Sequence, residues 1–214
     1  MSVTYALLSG GASASFPEGD GLAGTPVAIG EADVVVAIGG ASFRDPGKQA
    51  VAVELGGRYL ADEIGLDAAA DTANVVGFAR YRNGADAPSP LVELVRAPWT
   101  SETAIAAARA VFEGAGLAVA VCTDQPGRII DRLVRPKYNA ALRFLDEQLA
   151  TQADMDLTCW LGLGYRDGPL ERVIRGGLAD HHDVTRALFE ATGAAGYAPP
   201  RAAIVAARRR DSTG

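Results

Sequence analysis

Reactive side chains are scarce in this 214-residue chain, which holds two cysteines and two histidines. Cys122 and Cys159 are too few for a disulfide scaffold and have no metal-ligand spacing. Each adjoins an apolar run, Ala118-Val119-Ala120-Val121 or Trp160-Leu161, which predicts reduced, buried thiols. His181 and His182 stand side by side between Asp180 and Asp183 at a helix start. Neighbouring helical residues point about 100° apart, so the pair does not suit a shared metal and reads as exposed. Any histidine acid–base chemistry would have to come from these two. No stretch approaches the ~18 uninterrupted apolar residues of a membrane span. Met1-Ser2-Val3-Thr4-Tyr5 lacks the basic flank and apolar run of a secretory leader. The expectation is a cytoplasmic protein with no membrane partner. Internal repeats and low-complexity tracts are absent too.

What is present is ordinary globular material. Hydrophobic residues make up 49% and charged residues 21%, and the net charge is −6. That balance excludes a mostly disordered chain and argues against a nucleic-acid partner. The charge is uneven: residues 1–125 carry 7 Lys/Arg against 15 Asp/Glu, whereas 126–214 carry 13 against 11. Such a shift fits two unlike modules.

The first module reads as short, mostly apolar strands at Val3–Leu8, Asp33–Ile38, Gln49–Leu55, Asn74–Phe78 and Leu91–Arg96. Runs of that kind suit a sheet covered on both faces. Residues 9–24 are glycine-rich without helical periodicity, so no normal helix should follow the first strand. Arg58–Ile64 could form a short helix. Thr100 or Ser101 is placed to cap a helix whose inner face is Ile105, Ala108, Val111 and Phe112, ending at Gly114 and Gly116. Leu117–Cys122 is a further strand, and Asp124-Gln125-Pro126-Gly127 makes a turn at the module boundary. Beyond it, Ile130, Val134, Tyr138, Ala141, Leu142, Leu145 and Leu149 recur at three and four, predicting a long amphipathic helix of about 22 residues. Thr151–Leu163, Pro169–Leu178, His182–Thr192 and Pro199–Arg209 are further helices, and the tail from Arg208 to Gly214 reads as frayed.

The chemistry-bearing motifs are missing. A dinucleotide turn needs G-x-G-x-x-G between a strand and a helix. Gly10-Gly11-Ala12-Ser13-Ala14 leads into Pro17, and Gly39-Gly40-Ala41-Ser42 has no third glycine and Pro46 close behind. Neither fits, and neither a P-loop nor G-x-S-x-G occurs.

The resemblance that emerges is carried by ordered segments. They run from Leu91-Val92-Glu93-Leu94-Val95 and Thr100-Ser101-Glu102 to Asp124-Gln125-Pro126-Gly127-Arg128-Ile129-Ile130-Asp131-Arg132-Leu133. Tyr138-Asn139-Ala140-Ala141-Leu142, Asp154-Met155-Asp156, Leu161-Gly162-Leu163-Gly164-Tyr165-Arg166-Asp167-Gly168-Pro169-Leu170 and Tyr197-Ala198-Pro199-Pro200 complete the series. Together they resemble the 3-hydroxyacyl-CoA dehydrogenase family, NAD-dependent enzymes of β-oxidation-type pathways. Ala32–Ile38 and Asn74–Phe78 look like later strands of its nucleotide domain. Upstream of residue 30 there is no room for the family's first β-α-β unit. The implied fold is α/β plus all-α: a truncated Rossmann-like N-terminal sheet domain over 1–125, then a helical dehydrogenase C-terminal-type domain over 126–214. In the family the helical domain supplies a dimer interface and closes over acyl-CoA. A homodimer is expected, through Ile129, Ile130, Val134, Leu142, Leu145, Trp160 and Leu161.

The resemblance implies a histidine at the position of Ala79, oriented by Glu93. It also implies an asparagine where Asp131 stands and a serine near Gly56-Gly57. Glu93 alone survives, and Asp131 would add a negative charge opposing an enolate or alkoxide. Whether the chain is an enzyme therefore stays open between three readings. One is an active NAD-dependent oxidation of 3-hydroxyacyl-CoA. Another is a degenerate relative acting as an acyl-CoA-binding or assembly partner, an intact dehydrogenase being one candidate for what it assembles with. The last is a different thioester reaction on the paired carboxylates Glu93 and Asp131. NAD is what the family implies, yet it is expected not to bind, and no metal is expected.

Overall fold

The computed structural model describes residues 3–17, 22 and 24–213. Met1, Ser2 and part of the 9–24 segment lie outside the described residues, as does Gly214. The chain divides into two compact units, 1–82 with 88–128, and 83–87 with 129–214.

The sheet unit holds β1 (Tyr5–Ser9), β2 (Val34–Ile38), β3 (Ala50–Glu54), β4 (Val75–Arg80), β5 (Leu91–Arg96) and β6 (Ala118–Thr123), side by side in sequence order. β1 to β4 are mutually parallel, β5 runs antiparallel to β4, and β6 is parallel to β5. Alternation sorts the buried side chains onto two faces. Val34, Val36, Ala52, Val76, Phe78 and Leu94 meet α2 (Glu102–Gly114), whose N-terminus is capped by the Ser101 side chain accepting from Ala104 N. Val51, Val53, Leu55, Val75 and Val95 meet Ile64 of the single-turn α1 (Ala61–Ile64), Leu60 just before it and the loop residues Phe43 and Trp99.

Parallel neighbours are usually joined by a helix. After β1 the described residues 10–17 instead form a strap without a helix, as the sequence predicted. Phe16 enters the core against Phe78 and Phe112, at ring separations of 6.0 and 6.5 Å. The buried Arg80 holds the strap by donating to Ser15 O at 2.7 Å.

The helical unit contains α3 (Ile130–Asp146), α4 (Gln152–Leu163), α5 (Pro169–Arg175), α6 (Leu178–Thr192) and α7 (Arg201–Thr213). Several boundaries differ from expectation for identifiable reasons. α3 stops at Asp146 because Gln148 takes φ 58°. Leu149 N and Gln148 N then turn back onto Phe144 O and Leu145 O, a Schellman closure. α6 starts four residues before His182, where Gly177 turns the chain at φ 91°. Residues 208–213 are helical rather than frayed: α7 continues to Thr213, and Arg210 pairs with Asp183 at 2.8 Å and Asp180 at 3.5 Å. The unit's core is Tyr138, Ala141, Leu142, Leu170 and Val173, with Val134 and Leu145 against it. Leu142 therefore serves the unit's own core rather than an interface. Among the described residues no helix is long and apolar enough to cross a membrane.

Candidate functional site

Ala79 and Glu93, which the family resemblance implies should lie together, are direct partners across the β4–β5 ladder. Both are buried. The Glu93 side chain is 3% exposed and pairs with Arg128 at 3.3 Å. Arg128 follows Gly127 in the turn after β6, with φ 48°. Its guanidinium also donates to Gly56 O at 2.7 Å, tying the β6 turn to the end of β3. Cys122 is half-buried rather than buried. Burial, with Glu93 nearby, pushes its thiol up to about 11, so it is protonated at neutral pH. Cys159 is half-buried too.

The carboxyl ends of β1 to β3 are where an open α/β sheet binds ligands. Here a cavity of about 250 Å³ is lined by Ala12, Ala14, Gly39, Gly40, Glu54 and Arg58 among others. Its polar floor is already satisfied internally. The Glu54 carboxylate accepts from Ser13 Oγ at 2.9 Å, Ser15 N at 2.7 Å and Gly39 N at 2.8 Å. Burial alone would raise its pKa, but those hydrogen bonds together outweigh it and hold the group below the usual range. Gly10 N is taken by Ile38 O. The two glycine turns also press on one another, since a Cβ built on Gly39 would stand 2.2 Å from Gly11 O. A dinucleotide pyrophosphate needs converging free N–H groups at a helix N-terminus. The described residues do not fit that requirement.

Asp131 lies in the helical unit, where it is not an uncompensated charge. Arg135, one turn along α3, pairs with it at 2.8 Å. Arg135 also approaches His181 Nδ1 at 3.0 Å, and His181 Nε2 lies 2.8 Å from Asn139 Oδ1. Asn139 in turn donates to Gly196 O at 2.8 Å. An arginine can only donate, so the network assigns Nδ1 as acceptor and Nε2–H as donor. His181 is thus buried, 1% exposed, and not a surface residue of the helix start. Burial, then the charge of Arg135, pushes its pKa down to about 3, and it is neutral at pH 7. His182 is half-buried beside Asp183. Asp156 serves the structure itself, accepting from Leu170 N and Glu171 N at 2.9 and 3.0 Å and so capping α5. Among the described residues no cluster of three His, Cys, Asp or Glu could hold a metal ion.

Sequence reasoning missed Glu54, Arg128 and the His181 network. Two signals were available: a lone acid closing an otherwise apolar strand, and Asp131, Arg135 and Asn139 at i, i+4, i+8 on one helix face. Nothing local marks Arg128, whose partners are 35 and 72 residues away.

Together these features define a Rossmann-like sheet unit joined to an all-α unit. Residues 127–209 match the family described as 3-hydroxyacyl-CoA dehydrogenase, C-terminal domain, and the chain resembles that family. Human mitochondrial hydroxyacyl-coenzyme A dehydrogenase is 33% identical over 81 residues, 38% of this chain and 26% of that protein. A 3-hydroxybutyryl-CoA dehydrogenase of Mycobacterium tuberculosis is 32% identical over 112 residues, 52% of this chain and 39% of that protein. These matches thus span between about a quarter and two-fifths of the curated relatives. Among solved structures, (S)-3-hydroxybutyryl-CoA dehydrogenase from Ralstonia eutropha shares the fold with a TM-score of 0.69 at 21% identity, covering 85% of this chain and 66% of that one.

Proposed function

We propose that this 3-hydroxyacyl-CoA dehydrogenase-like protein belongs to acyl-CoA metabolism without NAD-dependent turnover, serving as an acyl-CoA-binding or assembly partner. The observation that carries the reading is the Glu93–Arg128 pair opposite Ala79. The glutamate that would orient a catalytic histidine already has a cation, and the facing residue has no proton to give. Loss of a positioned general base usually costs 10²–10⁴-fold in rate. The satisfied Glu54 cradle supports the same reading for the cofactor.

The test combines turnover and binding. NADH-dependent reduction of acetoacetyl-CoA should stay at background at pH 7, and calorimetry should find no NAD binding tighter than about 100 μM, some −5.5 kcal/mol. Ala79→His should not restore activity, because Glu93 stays committed to Arg128. A robust rate lost in Glu93→Gln would overturn the reading in favour of an active dehydrogenase.

A homodimer belongs to the same proposal. Leu157, Trp160 and Leu161 form a stripe on α4 that its own unit leaves exposed, Leu161 by 81%. Such a patch favours self-association. Light scattering should give twice the 22.1 kDa chain mass, and Leu161→Asp should halve it; a monomeric wild type at micromolar concentration would rule the dimer out.

A further inference from the structure

A second concavity lies wholly within the helical unit and takes no part in the features above. α3 and α4 each pack on α5, and between α3 and α4 lies a groove of about 390 Å³. Its walls are apolar: Ala140, Ala141 and Phe144 from α3, Met155 and Cys159 from α4, and Leu149 from the loop that joins them. Lys137 and Tyr165 stand at one end. Phe144 lies seven residues along α3 from Lys137, about 10 Å of helix, and Leu149 closes that far end.

The polar groups are distributed unequally. Lys137 Nζ rests over the Tyr165 ring at 4.3 Å and the Tyr138 ring at 5.6 Å, and among the described residues no carboxylate pairs with it. Neighbouring Arg172, by contrast, is held by Asp167 at 2.7 Å. Asp154, the acid that lines the groove, sits at the opposite end and is held by Thr151 Oγ1 at 2.7 Å. One end is cationic and the length between is apolar, which is the complement of an amphiphile with an anionic head.

We propose that this groove binds an unbranched aliphatic carboxylate, its head group at Lys137 and its chain lying along Phe144 toward Leu149. Burial and the charge of Arg172 lower the pKa of Lys137, consistent with an ammonium that gains from a carboxylate. The site goes beyond the dehydrogenase-like reading and does not depend on it, because it needs neither Glu93 nor the sheet unit. It is also compatible with a dimer. Leu157, Trp160 and Leu161 lie on the other side of α4 from Met155 and Cys159, so a partner copy on that stripe leaves the groove open.

Calorimetric titration of the full chain with decanoate, below its micelle-forming concentration, tests the proposal, with decan-1-ol as the neutral comparator. Decanoate should bind saturably at one per chain. Lys137→Met, at an exposed position and retaining the apolar stem, should weaken decanoate about five-fold and leave decan-1-ol unchanged. Ala140→Phe should abolish both. Absence of saturable decanoate binding, or equal affinity of wild type and Lys137→Met, would overturn the site. So would a fall in the light-scattering mass on saturation, which would show that a second copy covers the groove instead. Each readout is independent of NAD binding and acetoacetyl-CoA turnover.

Discussion

The two units differ in the apolar surface they leave exposed and in the polar groups they bury. Among the described residues the sheet unit exposes few large hydrophobic side chains (Leu7, Ile29, Tyr59 and Leu66), whereas α4 alone exposes Leu157, Trp160, Leu161 and Leu163. The sheet unit buries two carboxylates, Glu54 held by backbone N–H groups and Glu93 by Arg128. The helical unit buries one carboxylate, Asp156 on the first N–H groups of α5, and one neutral imidazole, His181, within a hydrogen-bonded chain. The sheet unit is thus finished internally at the very edge where its fold would present a ligand site, while the helical unit retains unpartnered apolar surface. Binding is therefore expected at the helices.

The largest expected contrast comes from a single Cβ. Gly39→Val forces a β-branched residue to φ 60° and into the Gly11 backbone, so the sheet unit should fail to fold. Gly162→Ala in α4 meets nothing closer than 3.9 Å and should be neutral or slightly stabilising. Circular dichroism of the two variants checks both halves; a folded Gly39→Val would show that the glycine turns are not packed together.

Arg128→Met comes next. It leaves the Glu93 carboxylate buried without its cation and should cost about 3 kcal/mol in urea denaturation. Adding Glu93→Gln should recover much of that loss, because the uncompensated charge disappears. Additive losses in the double variant would mean the pair does not interact.

The helical unit's counterpart is His181, whose contribution depends on pH. Its folded pKa, near 3, lies below the ordinary 6.5, so the unfolded chain binds more protons between those values. Stability is full above about 6.5 and should fall, by up to about 1.4 kcal/mol per pH unit, as the solution is acidified toward 3. His181→Gln should be less stable at pH 7 yet show a shallower acid slope. An unchanged slope would place the imidazole in contact with water.

The smallest effects should be equal in the two units. Ser101→Ala and Thr151→Ala each remove a side-chain cap, from α2 and α4, and each should cost about 1 kcal/mol by thermal melting. A markedly smaller cost at Thr151 would indicate that α4 frays when its apolar stripe is uncovered.

Local pattern was enough for the elements and much of the architecture. Valine-rich runs of strand length, a cap at Thr100 or Ser101 and the three-and-four spacing of α3 are properties of neighbours in the chain, where propensity and burial agree. Helix ends were less legible, because Gln148 in the left-handed region and the Arg210 pairs with α6 are not periodic features.

The sequence by itself determined the two-module division of texture, the absence of a glycine fingerprint, the alanine at position 79 and the retention of Glu93. Tertiary structure decided what those residues mean. Only the strand register sets Ala79 opposite Glu93, and only the turn after β6 brings Arg128 to that carboxylate. Only folding turns Glu54 into the anion of its own glycine cradle and His181 into a buried neutral base. The reason is physical: an element depends on contacts a few residues apart, whereas the charge state and partner of a buried group depend on atoms that sequence separation does not bring near.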